Sequence, residues 1–358
     1  MKIGIDIRST LKKTKTGIGR YTIDLISALG EIDTTNQYAL YSKKKVLDFK
    51  RRLPKLPATN FSHCIDYFNK GPGNLLSDVR VFHTSSYDLE KPKTSSLVVT
   101  IHDVIHKAYP EGHTPRTVEE IDRKLKDILP KADSLVADCH NTKSDLIKFY
   151  GVSESKITVI YPGVKPFVKG QYKDRTSDII LFVGTLEPRK NIDGVIKAFT
   201  LIKEKYRIPH KLYIVGMKGW SFEKIFEAFE RSKFKKDIII KGYVSDEELS
   251  GLYNKAQVFV YPSFYEGFGL PIIEAFSAGV PVVTSKSSSC GEIAGDSALL
   301  VDPYDHEQIG EALYCIIQDK ALRENMAKKG FKRAKEFTWK KTAKEFVRLF
   351  TEIAGNSL

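Results

Sequence analysis

Long apolar runs are missing from this chain. No window approaches the ~20 consecutive apolar residues of a membrane-spanning helix. Met1 to Thr10 reads as a strand and lacks the longer apolar run of a signal peptide. Cysteine is scarce: Cys64, Cys139, Cys290 and Cys315 are scattered through 358 residues, with no C-x-x-C pair and no metal-ligand spacing. That excludes a disulfide framework and a zinc finger, and fits a reducing cytosol. No internal repeat or low-complexity tract stands out. Acidic residues fall short of basic ones, leaving a net charge of +13.

The rest is a soluble globular composition, 42% hydrophobic and 28% charged, long enough for two domains with separate cores. The positive charge is unevenly placed. Residues 1–177 carry 30 Lys and Arg against 20 Asp and Glu; the remainder carries 27 against 24. The densest run is Tyr41 to Lys55, where seven basic residues interleave with Val46, Leu47, Phe49 and Leu53. Such a run fits an anionic membrane surface, each charge contributing about 1 kcal/mol there. It equally fits a solvated helix and loop. No nucleic-acid motif accompanies the charge, so no nucleic-acid partner is expected.

Apolar runs alternate with helical spacing throughout. Strands are expected at Lys2–Ile7, Val79–His83, Leu97–Ile101, Ser134–Asp138 and Ile157–Tyr161. After Pro162-Gly163 and a charged linker, further strands are expected at Ile179–Gly184, Lys211–Gly216, Asp237–Lys241, Gln257–Tyr261 and Val280–Thr284. This order predicts an α/β protein of two doubly wound domains facing each other across a cleft, over residues 1–165 and 178–336. Residues 337–358 form a last amphipathic helix.

The most informative stretch is Gln257 to Thr284, QVFVYPSFYEGFGLPIIEAFSAGVPVVT. A strand, a glycine loop, a helix with Pro271 in its first turn and another strand follow in order. Free N–H groups near Leu270 suit a phosphate. Gly267 and Gly269 allow close backbone approach on either side of Phe268. Glu274 stands about one turn into the helix, placed to accept hydrogen bonds from a vicinal diol such as ribose; Glu266 is placed to do the same for a sugar. The spacing alone also fits an ordinary strand–helix turn with two solvated glutamates. Arg189 and Lys190 sit at the mouth of the unit that follows Ile179–Gly184, a pair suited to a diphosphate. At the other end of the chain, Gly17-Ile18-Gly19-Arg20-Tyr21 opens an amphipathic helix after the first strand. His102 stands just past the strand ending at Ile101, and His83 ends the strand before it. His106 and His113 lie in a loop with Pro110 and Pro115, expected as an acceptor lid. Asp103 is expected to hold its loop.

EGFGLPIIEAFSAGVPVV resembles the E-x7-E signature of the retaining glycosyltransferases of family GT4, which have the GT-B fold. Matching features run from residue 4 to about residue 340. The resemblance implies an N-terminal acceptor domain, a C-terminal nucleotide-sugar domain, and a C-terminal helix crossing back to the first domain. It implies that His102 reaches the donor sugar, that Glu266 holds its hydroxyls and that Glu274 holds the ribose. Gly17 and Gly19 would face donor phosphates, with Arg20, Tyr21 and His83 toward the acceptor. Family members often carry Gly-Arg at the strand end where this chain has Gly184-Thr185, so Arg189 is given that Arg's role beside Lys190. Loops at Gly216 and at Tyr243-Val244 would contact the base. Gly216-Met217-Lys218-Gly219-Trp220 resembles relatives that use GDP-mannose. The implied enzyme is a retaining, metal-independent hexosyltransferase, with no cofactor beyond a GDP- or UDP-linked sugar substrate. Its acceptor would be a saccharide or lipid-linked acceptor of polysaccharide or O-antigen assembly. A cytoplasmic location, peripheral to the inner face of the membrane, goes with it. A GT-B epimerase, a phosphorylase and a non-catalytic membrane-surface scaffold are the alternatives.

Overall fold

The computed structural model describes residues 1–11, 17–45, 52–88, 95–165 and 177–355. Of the basic run, Val46, Leu47, Phe49 and Arg51 lie outside the described residues, as does most of the charged linker. The chain divides into two compact units. The first holds Met1–Lys107, Pro115–Gly163 and Phe337–Leu358; the second holds Ala108–Thr114 and Val164–Glu336.

Among the described residues the first unit is built on seven strands: β1 (Lys2–Asp6), β2 (Gln37–Lys43), β3 (Phe61–Asp66), β4 (Val81–Thr84), β5 (Ser96–Ile101), β6 (Ser134–Ala137) and β7 (Ile157–Val159). They lie in the order β3-β2-β1-β4-β5-β6-β7, and every pairing is parallel. Register is tight at the centre, where Ile5 pairs with Leu40 on one side and His83 on the other. Parallel sheets are covered on both faces, which is why β1, β4 and β5 read as unbroken apolar runs. On one face Tyr21, Leu25 and Leu29 of the helix Gly17–Ile32 pack with Phe346 and Phe350 of the helix Trp339–Gly355. On the other, Leu125, Ile128 and Leu129 of the helix Pro115–Lys131 cover Val99 and Ile101. The last helix is held close at its start. A Cβ on Gly163 would lie 2.2 Å from the Trp339 nitrogen, so only glycine fits there.

The second unit has six parallel strands: β8 (Ile179–Val183), β9 (Lys211–Val215), β10 (Ile238–Lys241), β11 (Val258–Tyr261), β12 (Val282–Ser285) and β13 (Leu299–Val301). Their order is β10-β9-β8-β11-β12-β13. Strand order reverses between β8 and β11, and loops leaving the carboxyl ends at such a point diverge to form a crevice.

Three strands were not anticipated. β2 runs into the basic tract, so its outer end reads as charge, yet Tyr41 is buried and donates its hydroxyl to Asp66 at 3.0 Å. β3, FSHCID, has too few apolar residues for a clear pattern, and β13 is three residues long. After β13, the helix His306–Gln318 ends at Asp319, whose carboxylate accepts from the Leu322 amide at 2.9 Å and starts a second helix, Lys320–Ala334. The first domain is not one uninterrupted stretch. Ala108–Thr114 packs with the second unit, because the Tyr109 ring stacks on Phe264 with centroids 5.9 Å apart.

Candidate active site

In the second unit, the loops after β8 and β11 carry the charges. Pro188–Lys190 forms a short 3-10 turn, and Asn191, at φ 56°, turns the chain into the helix Ile192–Tyr206. Glu266 lies on the loop after β11. Its Oε2 accepts from Arg189 Nη1 at 2.6 Å and its Oε1 from Lys190 Nζ at 2.6 Å. Arg189 also donates to the Tyr265 carbonyl at 2.9 Å and to Glu187. Lys190 donates to the Tyr261 hydroxyl at 2.5 Å. Two cations and two carboxylates therefore make one neutral cluster across neighbouring loops. The sequence reading gave Glu266 and the cations separate tasks; the structure bonds them directly.

Glu266 is only 5% exposed. Burial opposes its charge, but Arg189 and Lys190 outweigh burial and hold its pKa down to about 2. Burial pushes Lys190 below the usual lysine value despite Glu266, with Arg189 adding to the fall. The loop is fixed from outside as well. The Glu266 amide donates to Ser288 Oγ at 3.1 Å, and Ser289 Oγ donates to the Glu266 carbonyl at 2.9 Å. Asn191 Nδ2, fully buried, donates to the Pro262 carbonyl at 3.1 Å and to the Pro303 carbonyl at 2.6 Å, tying together the loops after β8, β11 and β13.

Gly269 ends the loop at φ 100°, a left-handed conformation that favours glycine, and the helix Leu270–Ser277 begins beside it. Phe268 is buried; Leu270 is exposed at the helix start, and Gly267 precedes them on the same loop. Glu274 is half-buried, and the Tyr253 hydroxyl donates to its Oε2 at 3.0 Å. A Cβ on Gly216 would lie 1.9 Å from the Gly184 carbonyl oxygen, so the loops after β8 and β9 meet at a glycine contact. Beside it, the Lys218 ammonium lies 5.1 Å from the Phe222 ring centroid. Tyr243, after β10, is 70% exposed next to Val244.

In the first unit, His102 follows β5. Its Nδ1 lies 2.7 Å from Asp138 Oδ2, at the end of the neighbouring β6. Burial opposes charge on the imidazole, but the Asp138 carboxylate outweighs it and holds the His102 pKa above the ordinary value. Burial raises Asp138 in turn, partly countered by His102. Tyr21 packs edge-on against His102, with centroids 4.7 Å apart. Gly17 is the first residue of its helix rather than part of a loop. Gly19 is buried within that helix and Arg20 is exposed on it.

Two expectations are corrected. His83 does not face a surface open to an acceptor. It is 3% exposed, its Nε2 lies 2.8 Å from Thr100 Oγ1, and Phe346 covers its ring at 5.0 Å. Burial, with His102 adding to it, drives its pKa down to about 3. The lid expected around His106 and His113 is divided. His106 is buried with Nε2 2.6 Å from the Tyr150 hydroxyl, while Gly112 lies beside Arg189 in the second unit. Asp103 does hold its loop, accepting from the Ile105 amide at 3.1 Å.

Sequence reasoning missed Glu187, Asn191, Tyr253, Tyr261 and Asp138. For Glu187 and Asp138 a signal was available: an acid beside Pro-Arg-Lys, and an acid just past a strand next to the His102 strand. Tyr253 and Tyr261 carried no signal, because a buried tyrosine looks like core until its hydroxyl partner is known.

Comparison with known proteins gives consistent relatives. The pattern described as Glycosyl transferases group 1 matches residues 165–333, and that described as Glycosyltransferase Family 4 matches residues 77–166. The chain is 30% identical over 362 residues to the O-antigen chain mannosyltransferase B of Escherichia coli, covering 92% of this chain and 94% of that protein. It is 28% identical over 227 residues to the O-antigen chain mannosyltransferase RfbU of Salmonella typhimurium, covering 63% of this chain and 62% of that one. Sucrose-phosphate synthase from Thermosynechococcus elongatus shares the fold, with a TM-score of 0.75, 19% identity and 99% of both chains covered.

Two outcomes follow from the charges. The Glu266 carboxylate, lowered from 4.5 to about 2, contributes roughly 3 kcal/mol of stability that is complete above pH 4.5 and lost as pH falls toward 2. Glu266→Gln leaves Arg189 and Lys190 without their shared anion. It is expected to cost about 3 kcal/mol at pH 7, with the gap to wild type closing below pH 4.5. Denaturant unfolding across pH measures it; a gap independent of pH would show that the cluster is not the cause. For His102, the pKa raised by Asp138 means stability present below about pH 6.5 and lost as pH rises through the folded value. Asp138→Asn removes the main carboxylate that opposes burial and leaves only the weaker pull of Asp103, so the His102 titration followed by NMR should move down. An unmoved titration would mean that the carboxylate does not set it.

Proposed function

The chain belongs to glycosyltransferase family 4, of GT-B fold, and on that premise we propose that it moves a mannosyl residue from GDP-mannose to a growing saccharide, with retention and without a metal. It is a hexosyltransferase of O-antigen assembly. The observation that carries the mechanism is the Arg189–Lys190–Glu266 cluster, on the loop that leads into the helix Leu270–Ser277.

Departure of a nucleoside diphosphate concentrates negative charge on the leaving oxygens. Arg189 and Lys190 supply fixed positive charge there in a water-poor setting, with the helix start assisting. Because Glu266 and Glu187 neutralise them before substrate arrives, the cations are already oriented when the anion comes. Glu274, aimed by Tyr253, takes the ribose hydroxyls. Glu266 is a poor nucleophile, since two cations hold its electrons and keep its pKa near 2. It serves instead as an acceptor for hydroxyls of the transferred sugar. The acceptor hydroxyl then attacks the face the diphosphate is leaving, and its proton goes to the leaving phosphate, so configuration is kept. His102, with its proton placed on Nδ1 by Asp138, presents Nε2 as a hydrogen-bonding group for a sugar hydroxyl. Tyr243 and the Gly216 loop are assigned to the base.

Among the described residues no helix is long and apolar enough to cross a membrane. A peripheral contact is favoured by the first unit. Lys43, Lys44 and Lys45 line an open cavity of about 560 Å³ with Arg8 and Tyr67, and the adjoining Phe68 is 74% exposed. Cations beside exposed aromatics match a surface of anionic headgroups, where a lipid-linked acceptor is held.

Thermal shift with GDP-, UDP-, ADP- and dTDP-sugars tests the donor. GDP-mannose at 100 times its Kd should add about 2.7 kcal/mol, and Lys190→Ala and Glu274→Ala should abolish the response. A different sugar standing out would replace GDP-mannose, and no response would overturn the diphosphate assignment. Product stereochemistry by proton NMR should show the donor's anomeric configuration, unchanged in excess EDTA; an inverted product or EDTA loss would refute the mechanism. Lys44→Glu with Phe68→Ser should release the protein from anionic vesicles. Undiminished binding would remove the membrane assignment.

A further inference from the structure

Tyr304 is 71% exposed, yet it is not a loose surface ring. It leaves the carboxyl end of β13 and packs on Phe264 with centroids 4.7 Å apart; Phe264 in turn stacks on Tyr109 at 5.9 Å. Its amide donates to Asp302 Oδ1 at 3.0 Å, and Asn191 grips the preceding Pro303 carbonyl. The loop is therefore fixed to the same edge of the sheet as the charged cluster. Phe264, two residues before Glu266, links the two directly, and its amide donates to the Arg189 carbonyl at 2.9 Å.

Beyond Tyr304 opens a cavity of about 570 Å³ lined by Leu201, Asp302, Tyr304, Asp305, His306 and Glu307. It is a shallow depression open to solvent, so a ligand would lie along it rather than inside it. Its lining carries Tyr304, the His306 imidazole and three acids; Lys286 pairs with Asp302 at 3.2 Å, and Asp305 accepts from the Gln308 amide at 2.9 Å. Burial and the nearby Lys197 hold His306 below the ordinary imidazole value, against the pull of Asp193 and Asp305. Three acids against the one lysine paired to them leave the lining net acidic, which disfavours an anion. A neutral, hydroxyl-rich ligand fits: a pre-oriented ring offers its face to the apolar C–H side of a sugar, and Glu307 accepts from hydroxyls.

The geometry points to a holding site for the saccharide chain on Tyr304 and the adjoining cavity, separate from the charged cluster. This rests on the glycosyltransferase reading, and it adds that the acceptor is gripped by sugar residues remote from the one being extended. Remote contacts made equally in the ground state and the transition state lower KM as the chain lengthens and leave kcat unchanged.

The test uses the full chain and α-linked manno-oligosaccharides of one to six residues. Calorimetry without any donor measures binding, and steady-state assays with donor measure KM and kcat. Wild type is expected to bind longer chains more tightly. Tyr304→Ala should weaken the longest acceptors by about tenfold in Kd and KM, with the shortest acceptor, the donor KM and kcat unchanged. Tyr304→Phe should keep wild-type behaviour. Equal length dependence in wild type and Tyr304→Ala, or no oligosaccharide binding by wild type, overturns the site. Length-dependent binding lost in Tyr304→Ala, with no transfer from any donor, would keep the site and defeat the transferase reading instead.

Discussion

A buried carboxylate shared by two cations is the constraint on which the second unit depends. Burying Arg189, Lys190 and Glu266 separately would be prohibitive, because each would lose its hydration without compensation. Brought within hydrogen-bonding distance they become tolerable, and the requirement dictates much around them. Lys190 needs the Tyr261 hydroxyl, Arg189 needs Glu187, and Glu266 needs its loop pinned by Ser288 and Ser289. The parallel topology supplies the proximity. β8 and β11 are neighbours in the sheet although about 75 residues separate their loops, and strand order reverses between them.

The same economy appears at the carboxyl edge of the first sheet. Asp6, at the end of β1, accepts from Arg8 at 3.0 Å and from Thr84 Oγ1 at 2.9 Å, which ties β1 to the end of β4. His102 and Asp138 tie β5 to β6 in the same way. In each case a carboxylate at a strand end is hydrogen-bonded to a group at the end of the adjacent strand. Charges fixed before substrate arrives need little reorganisation during reaction, which is the property electrostatic catalysis requires.

Surface chemistry divides by unit. The first presents lysines next to exposed Tyr67 and Phe68, chemistry for an anionic interface. The second presents an acidic cavity beside a fixed tyrosine, chemistry for neutral sugars.

The fold class was legible because parallel strands must be apolar along their length and glycines must mark their ends: β1, β8 and β11 with its glycine loop could be read directly. Glu266, Arg189, Lys190 and His102 were legible as residue types just past strand ends, and Glu274 as an acid one turn into a helix. Local sequence determines a strand, a turn and a helix start, because those depend on a few neighbouring residues. It does not determine which distant side chain completes a charge. That Glu266 binds both cations, that Asp138 sets the His102 proton, that His83 disappears beneath Phe346, and that Tyr109 joins Phe264 were decided by tertiary structure alone. The physical reason is that a buried polar group is defined by its partner, and the partner is chosen by strand order, not by spacing in the chain.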